Sequence, residues 1–133
     1  MKKFRIGLLI YTFDKTDDAK INMEIIEDLW KKSNLFSKIK IIHSYNGGKS
    51  WWRKKYLEDE FLLSINTGHF QGAAELIDQG IKKINNDYPD LDYTIILASD
   101  TWIIKPEFIN NTLNKMYKDK LYLASCAWGV PER

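Results

Sequence analysis

Asp100 is the residue best placed for chemistry. It closes the hydrophobic run over residues 93–98 and is followed by Thr101, Trp102 and the apolar pair Ile103 and Ile104. A carboxylate at the end of a buried strand can hold Mg²⁺ or Mn²⁺, hard cations that take oxygen ligands and leave positions for phosphate oxygens and water. The same carboxylate could instead cap a turn. A second stretch, residues 66–81, gathers small residues: Asn66, Gly68, Gly72, Ala73 and Ala74 fall in a loop and in the first turn of an expected helix. Small residues let backbone approach a ligand or a neighbouring strand, and a helix N-terminus offers free N–H groups to an anion. The spacing is neither a Walker loop nor a Gly-x-Gly-x-x-Gly fingerprint, so close helix–sheet packing is the better explanation of this stretch taken alone.

Other chemistry-bearing residues give less. His43 and His69 are not at metal-ligand spacing to each other or to Cys126, and they read as structural, although His69 falls at the expected ligand edge. Cys126, in an expected strand, reads as a small buried hydrophobe. The run over residues 49–56 interleaves basic and aromatic side chains. It could meet phosphates, a lipid-linked molecule at a membrane surface, or single-stranded nucleic acid, or be a solvated loop. The acids Asp17 and Asp18 read as helix-start charge, and Glu58, Asp59 and Glu60 as surface charge.

These residues need a scaffold, and the pattern alternates strand and helix. Apolar runs at 4–11, 39–43, 61–65, 93–98 and 121–127 read as strands. Ala19, Met23, Ile26, Leu29 and Trp30 form one helical stripe over residues 18–32, with Thr16 or Asp17 as cap. Residues 70–85 form a second helix, and Pro106 fits the first position of a third, whose stripe is Ile109, Leu113 and Met116. Residues 45–48 read as a turn, and residues 51–60 carry no clear pattern. Alternation of this kind implies an α/β fold, a three-layer α/β/α sandwich with a mainly parallel sheet. Ligands then bind outside the carboxyl ends of the strands, here at residues 11–14, 45–50, 66–69 and 99–102.

Composition bounds the remaining choices. The 133 residues suit a single domain, and 44% hydrophobic content is enough to build a core, which excludes a disordered chain. A net charge of +2, with Lys and Arg spread along the chain, excludes a typical nucleic-acid-binding module. One cysteine precludes an intrachain disulfide and suits a reducing compartment. No run approaches the roughly 20 apolar residues of a membrane span. A cytoplasmic location is expected.

Taken in order, the segments resemble a known family. Asn66-Thr-Gly68, Gly72-Ala-Ala74, Gln79-Gly80-Ile81, Leu97-Ala-Ser-Asp100-Thr and Lys105-Pro106 are similar to the corresponding segments of inverting glycosyltransferases with the type A (GT-A) fold. Residues 4–12 resemble that family's first strand, and Tyr45-Asn46-Gly47-Gly48 its turn after the second, so the resemblance covers nearly the whole chain. It implies the nucleotide-sugar-binding half of such an enzyme. A nucleoside-diphosphate sugar would meet Tyr11 and Thr12 at the base, Asn46 near the base or ribose, and Asn66 and Gly68 at the start of the second helix. Asp100 would hold Mg²⁺ or Mn²⁺ on the diphosphate, and an acceptor hydroxyl of a glycan or lipid-linked molecule would receive the sugar. Tyr45 stands where the family has a base-binding Asp, and Ala98 where it has the first Asp of its metal signature. The half that supplies the acceptor base is expected beyond this sequence. A non-catalytic module that keeps the fold is the alternative. Nucleotidyl transfer on a related fold would want a glycine-rich loop after the first strand, and residues 11–16 contain no glycine.

Overall fold

A computed structural model describes residues 2–47 and 55–125 of the chain. Their elements are β1 (Arg5–Thr12), α1 (Thr16–Ile25), which runs on into a π-helical turn (Ile26–Trp30), β2 (Lys38–Tyr45), β3 (Glu60–Leu63), α2 (His69–Asp87), β4 (Tyr93–Ala98) and α3 (Pro106–Asp119). The four strands form one sheet in the order β3-β2-β1-β4, and every pairing is parallel. The protein is therefore α/β. β1 lies between two strands and under helices on both faces. For that reason it reads as an unbroken apolar run rather than an alternation.

Side-chain period sets the layers. Ile6, Leu8 and Ile10 of β1 share a face with Ile41 of β2 and Leu97 of β4, and pack with Ala19, Met23, Ile26, Trp30, Ile109, Leu113 and Met116 of α1, its π turn and α3. The opposite face is smaller: Leu9 and Ile42 meet Ile84 of α2, flanked by Ile77, Ile81 and Leu91. There α2 comes very close, because Gly80 lies against Leu9. A methyl group at Gly80 would stand only 2.7 Å from Leu9 Cδ2.

The π turn changes which residue is buried. Lys31 N–H donates to the Ile26 carbonyl five residues back, at 2.9 Å, so the helix is locally wider and its stripe shifts phase. Trp30 is buried and its Nε1–H donates to the Ile103 carbonyl at 2.8 Å, while Leu29, expected on the stripe, is 40% exposed. α1 also begins earlier than expected, at Thr16, with no side-chain cap; Asp17 and Asp18 do occupy its first turn.

Two further expectations are corrected. Tyr45 is the last residue of β2, buried, rather than the first of a turn. Residues 121–125 form no strand: α3 ends at Lys120 in the left-handed conformation, Leu121 N–H closes on the Met116 carbonyl, and Tyr122 and Leu123 are exposed. Residues 126 and 127 of that expected strand, with Cys126, lie outside the described residues, as does most of the basic–aromatic run. No helix among the described residues is long and apolar enough to cross a membrane.

Candidate functional site at the carboxyl edge of the sheet

Strand order reverses between β1 and β4, since the chain builds outward through β2 and β3 and then returns to the other side of β1. In open α/β sheets the crevice at such a reversal is where ligands bind. Its two rims are the β1–α1 loop and the β4–α3 loop, and one contact spans them: Lys15 Nζ lies 2.6 Å from Asp100 Oδ2. Both side chains are substantially exposed. The hydrogen bond from Lys15 holds the Asp100 carboxyl below the usual carboxylate range, and Asp100 in turn raises the Lys15 ammonium. The crevice thus presents an ionised carboxylate and a protonated amine side by side.

The Asp100 loop is pinned from below by α1 and its π turn. Asn22 Nδ2 donates to the carbonyls of Ser99 (3.3 Å) and Thr101 (3.0 Å), the residues on either side of Asp100. Trp30 holds Ile103, and Trp102 Nε1–H donates to the Asp18 carbonyl at 3.2 Å. Asn22 is buried, and its Oδ1 has no partner. A polar residue on an otherwise apolar helical stripe is the signal by which Asn22 could have been found in the sequence.

On the other side of β1, Asn46 follows β2. Its N–H donates to the Thr12 carbonyl at 3.2 Å and its Nδ2 lies 3.4 Å from the Gly72 carbonyl, while its Oδ1 is buried with no partner. Gly72 leaves room for this: a methyl group there would come 3.1 Å from Asn46 Nδ2 and 3.0 Å from Asn66 Oδ1. Asn66 Oδ1 also accepts the Gly68 N–H at 3.0 Å, and Gly68 adopts φ 124°, a conformation that favours glycine. The first turn of α2 has no side-chain cap and no acid. Glu75, one turn further on, is engaged by Thr67 Oγ1 and Gln71 Nε2.

The expected site residues therefore fall into two groups. Asn46, Asn66 and Gly68 meet at the start of α2; Asp100 stands at the β1/β4 crevice with Lys15, which the sequence reading did not single out. Tyr11 pairs in register with Ser44 and Ala98 between the two groups. Thr12 faces the core instead, its hydroxyl 2.9 Å from His43 Nε2. Glu58, read as surface charge, is buried and meets His43 Nδ1 at 3.1 Å. An open depression of about 590 Å³ between residues 28–33 and 104–107 is lined by none of these residues.

For a divalent cation the sequence-expected donor is Asp100, and Asp14 and Asp18 are near enough to act on its partner Lys15. Among the described residues no three His, Cys, Asp or Glu side chains gather to hold a metal. Mg²⁺ is ordinarily held by one or two carboxylates together with substrate phosphates and water. Asp100 thus suits a cation that arrives on a phosphate, not a cage built by protein alone.

No protein-family model, curated protein or solved structure matches the chain.

Proposed function

We propose that this carboxyl edge is the donor site of a GT-A-like domain, which binds a nucleoside-diphosphate sugar with Mg²⁺ or Mn²⁺ for transfer of the sugar to an acceptor hydroxyl. The observation that carries the reading is the Lys15–Asp100 pair across the β1/β4 reversal. A diphosphate with a bound cation has a complementary pair of charges. Its phosphate oxygens would take Lys15 and its cation Asp100, each replacing the other's partner. Breaking an exposed ion pair costs little, so the exchange is favourable once the ligand is present. The cation, when bound, would stabilise charge developing on the leaving diphosphate. Asn46 stands at the end of β2 beside the start of α2, on the side where the nucleoside would lie, and Tyr11 lies between it and the crevice. The acceptor is a glycan or a lipid-linked molecule in this reading.

Calorimetric titration with UDP- and GDP-sugars in the presence of Mn²⁺ tests the proposal. Saturable binding that weakens in Asp100→Ala is expected; no binding to the wild type, or equal binding by Asp100→Ala, overturns it. A second reading is a binding module that keeps the fold without turnover. The incomplete signature favours it, because Ala98 supplies no ligand where the family resemblance would want an Asp. Sugar transfer or donor hydrolysis by the chain would exclude that reading.

A further inference from the structure

One buried cluster takes no part in the binding chemistry above. His43 of β2 is held at both ring nitrogens, by Glu58 Oε2 at 3.1 Å and by Thr12 Oγ1 at 2.9 Å. The side chains of His43 and Glu58 are wholly shielded from solvent. Glu58 Oε1 accepts the Tyr56 N–H, and the Phe61 ring stacks on the imidazole with centroids 5.2 Å apart. Burying two such groups is expensive, and apolar residues of the same volume are often as stabilising or more so. Stability alone therefore gives a poor account of the cluster. Thr12 is buried as well, which keeps its hydroxyl from any outside substrate. What the cluster joins is three segments near the strand ends. Glu58 lies on the connection before β3, His43 on β2 and Thr12 at the end of β1, so three segments meet at one ring. The Thr12 carbonyl accepts the Asn46 N–H, and Lys15 follows three residues later.

We infer that His43 and Glu58 are positioning residues: the chain Glu58–His43–Thr12 locks the ends of β1 and β2 together and so sets Asn46 and Lys15 for the ligand. The ligand part of this inference rests on the donor-site reading. Its direction is set by hydrogen-bond inventory. A carboxylate only accepts, so Glu58 can take the Tyr56 N–H on one oxygen and the ring Nδ1–H on the other. Glutamine keeps the shape but brings an NH₂ group. That group must either face the Tyr56 N–H donor to donor or donate to Nδ1, which forces the ring proton to Nε2.

The test compares wild type, Glu58→Gln, Thr12→Val and the double variant by nitrogen NMR of the imidazoles, hydrogen exchange of the Asn46 amide, and UDP titration with Mn²⁺. His69, the other histidine, is exposed at the start of α2 and serves as the control ring. Expected are a His43 ring with fixed proton positions that change in Glu58→Gln, roughly tenfold faster exchange at Asn46 in each folded variant, and UDP affinity lowered roughly fivefold. The double variant is expected to be no worse than the worse single one, because both changes act through one ring. A His43 ring that averages its two tautomers overturns the inference. So do unchanged Asn46 exchange and unchanged UDP affinity in the folded variants. Thr12→Val exchanges the hydroxyl for a methyl group of similar size, and keeps the test open if Glu58→Gln does not fold. Absence of UDP binding by the wild type counts against the donor-site reading alone; the positioning chain is then decided by the ring signals and the Asn46 amide.

Discussion

The Lys15 ammonium reaches across the β1/β4 crevice to within 2.6 Å of Asp100 Oδ2, joining the loops that follow two neighbouring parallel strands. Because both partners are exposed, the pair contributes little to stability. Lys15→Ala and Asp100→Ala are therefore expected to melt close to the wild type in calorimetry. Ligand binding should respond differently. Loss of a charge-assisted contact to phosphate in Lys15→Ala lowers UDP affinity roughly tenfold, and this loss should persist with EDTA present.

The metal has its own signature. Asp100 is a single carboxylate already paired with an ammonium, so Mn²⁺ alone is expected to show no saturable binding to the chain. With UDP present, Mn²⁺ should strengthen binding in the wild type and leave Asp100→Ala unaffected. Saturable uptake of Mn²⁺ by the nucleotide-free chain would refute this arrangement.

Much of this scaffold was legible in the residues. β4 runs over the expected residues, Tyr93–Ala98, because an apolar, β-branched run between polar residues signals a strand even at the edge of a sheet, where only Leu97 is fully buried. Pro106 opens α3 as its fixed φ requires. What was not legible depended on distant partners or on phase. Leu29 and Trp30 are equally good stripe residues until one π turn decides between them. Glu58 lies in a row of three acids and looks solvated; only the fold brings it to His43, fifteen positions away. Likewise nothing local to Asp100 announces Lys15, 85 positions earlier. The expectation for 121–127 failed over 121–125 because apolar content alone does not supply a strand to pair with.

Asn22 supports the Asp100 loop, and its substitution should separate loop order from global fold. Asn22→Ala leaves the buried Ser99 carbonyl and the part-buried Thr101 carbonyl without their donor, and a buried acceptor left unpaired costs about 1–3 kcal/mol. Asn22→Asp is expected to cost more, because a carboxylate oxygen would face those carbonyls. Urea denaturation should rank the three proteins in that order, and faster amide exchange at Thr101 should appear in both variants.

The approach of α2 to the sheet depends on Gly80. Alanine would gain about 1 kcal/mol of helix propensity, yet its methyl group would overlap the fully buried Leu9 side chain, which must shift within the core to make room. Overpacking of this kind costs about 1–3 kcal/mol. Gly80→Ala should thus be net destabilising in urea melts. Combined with Leu9→Ala it should be less destabilising than the sum of the two single changes, since the second change vacates the space the first one needs.

Alkaline pH should reveal the tie between α2 and β3. Tyr88, just past the end of α2, donates its hydroxyl to Glu60 Oε1 at 2.8 Å. Burial first, and then this hydrogen bond, push the phenol from 10.0 up to about 12. A raised value means that the fold favours the protonated phenol. Its contribution is therefore complete below the unfolded value and is lost as pH rises through the folded one. Stability of the wild type relative to Tyr88→Phe is expected to be constant up to about pH 10 and to decline between there and about pH 12. Urea melts of the two proteins across that range measure the difference directly, and subtraction removes the contribution of the lysines that also titrate there. A difference that stays flat through the window would show that the Tyr88 hydroxyl is not held by Glu60 in solution.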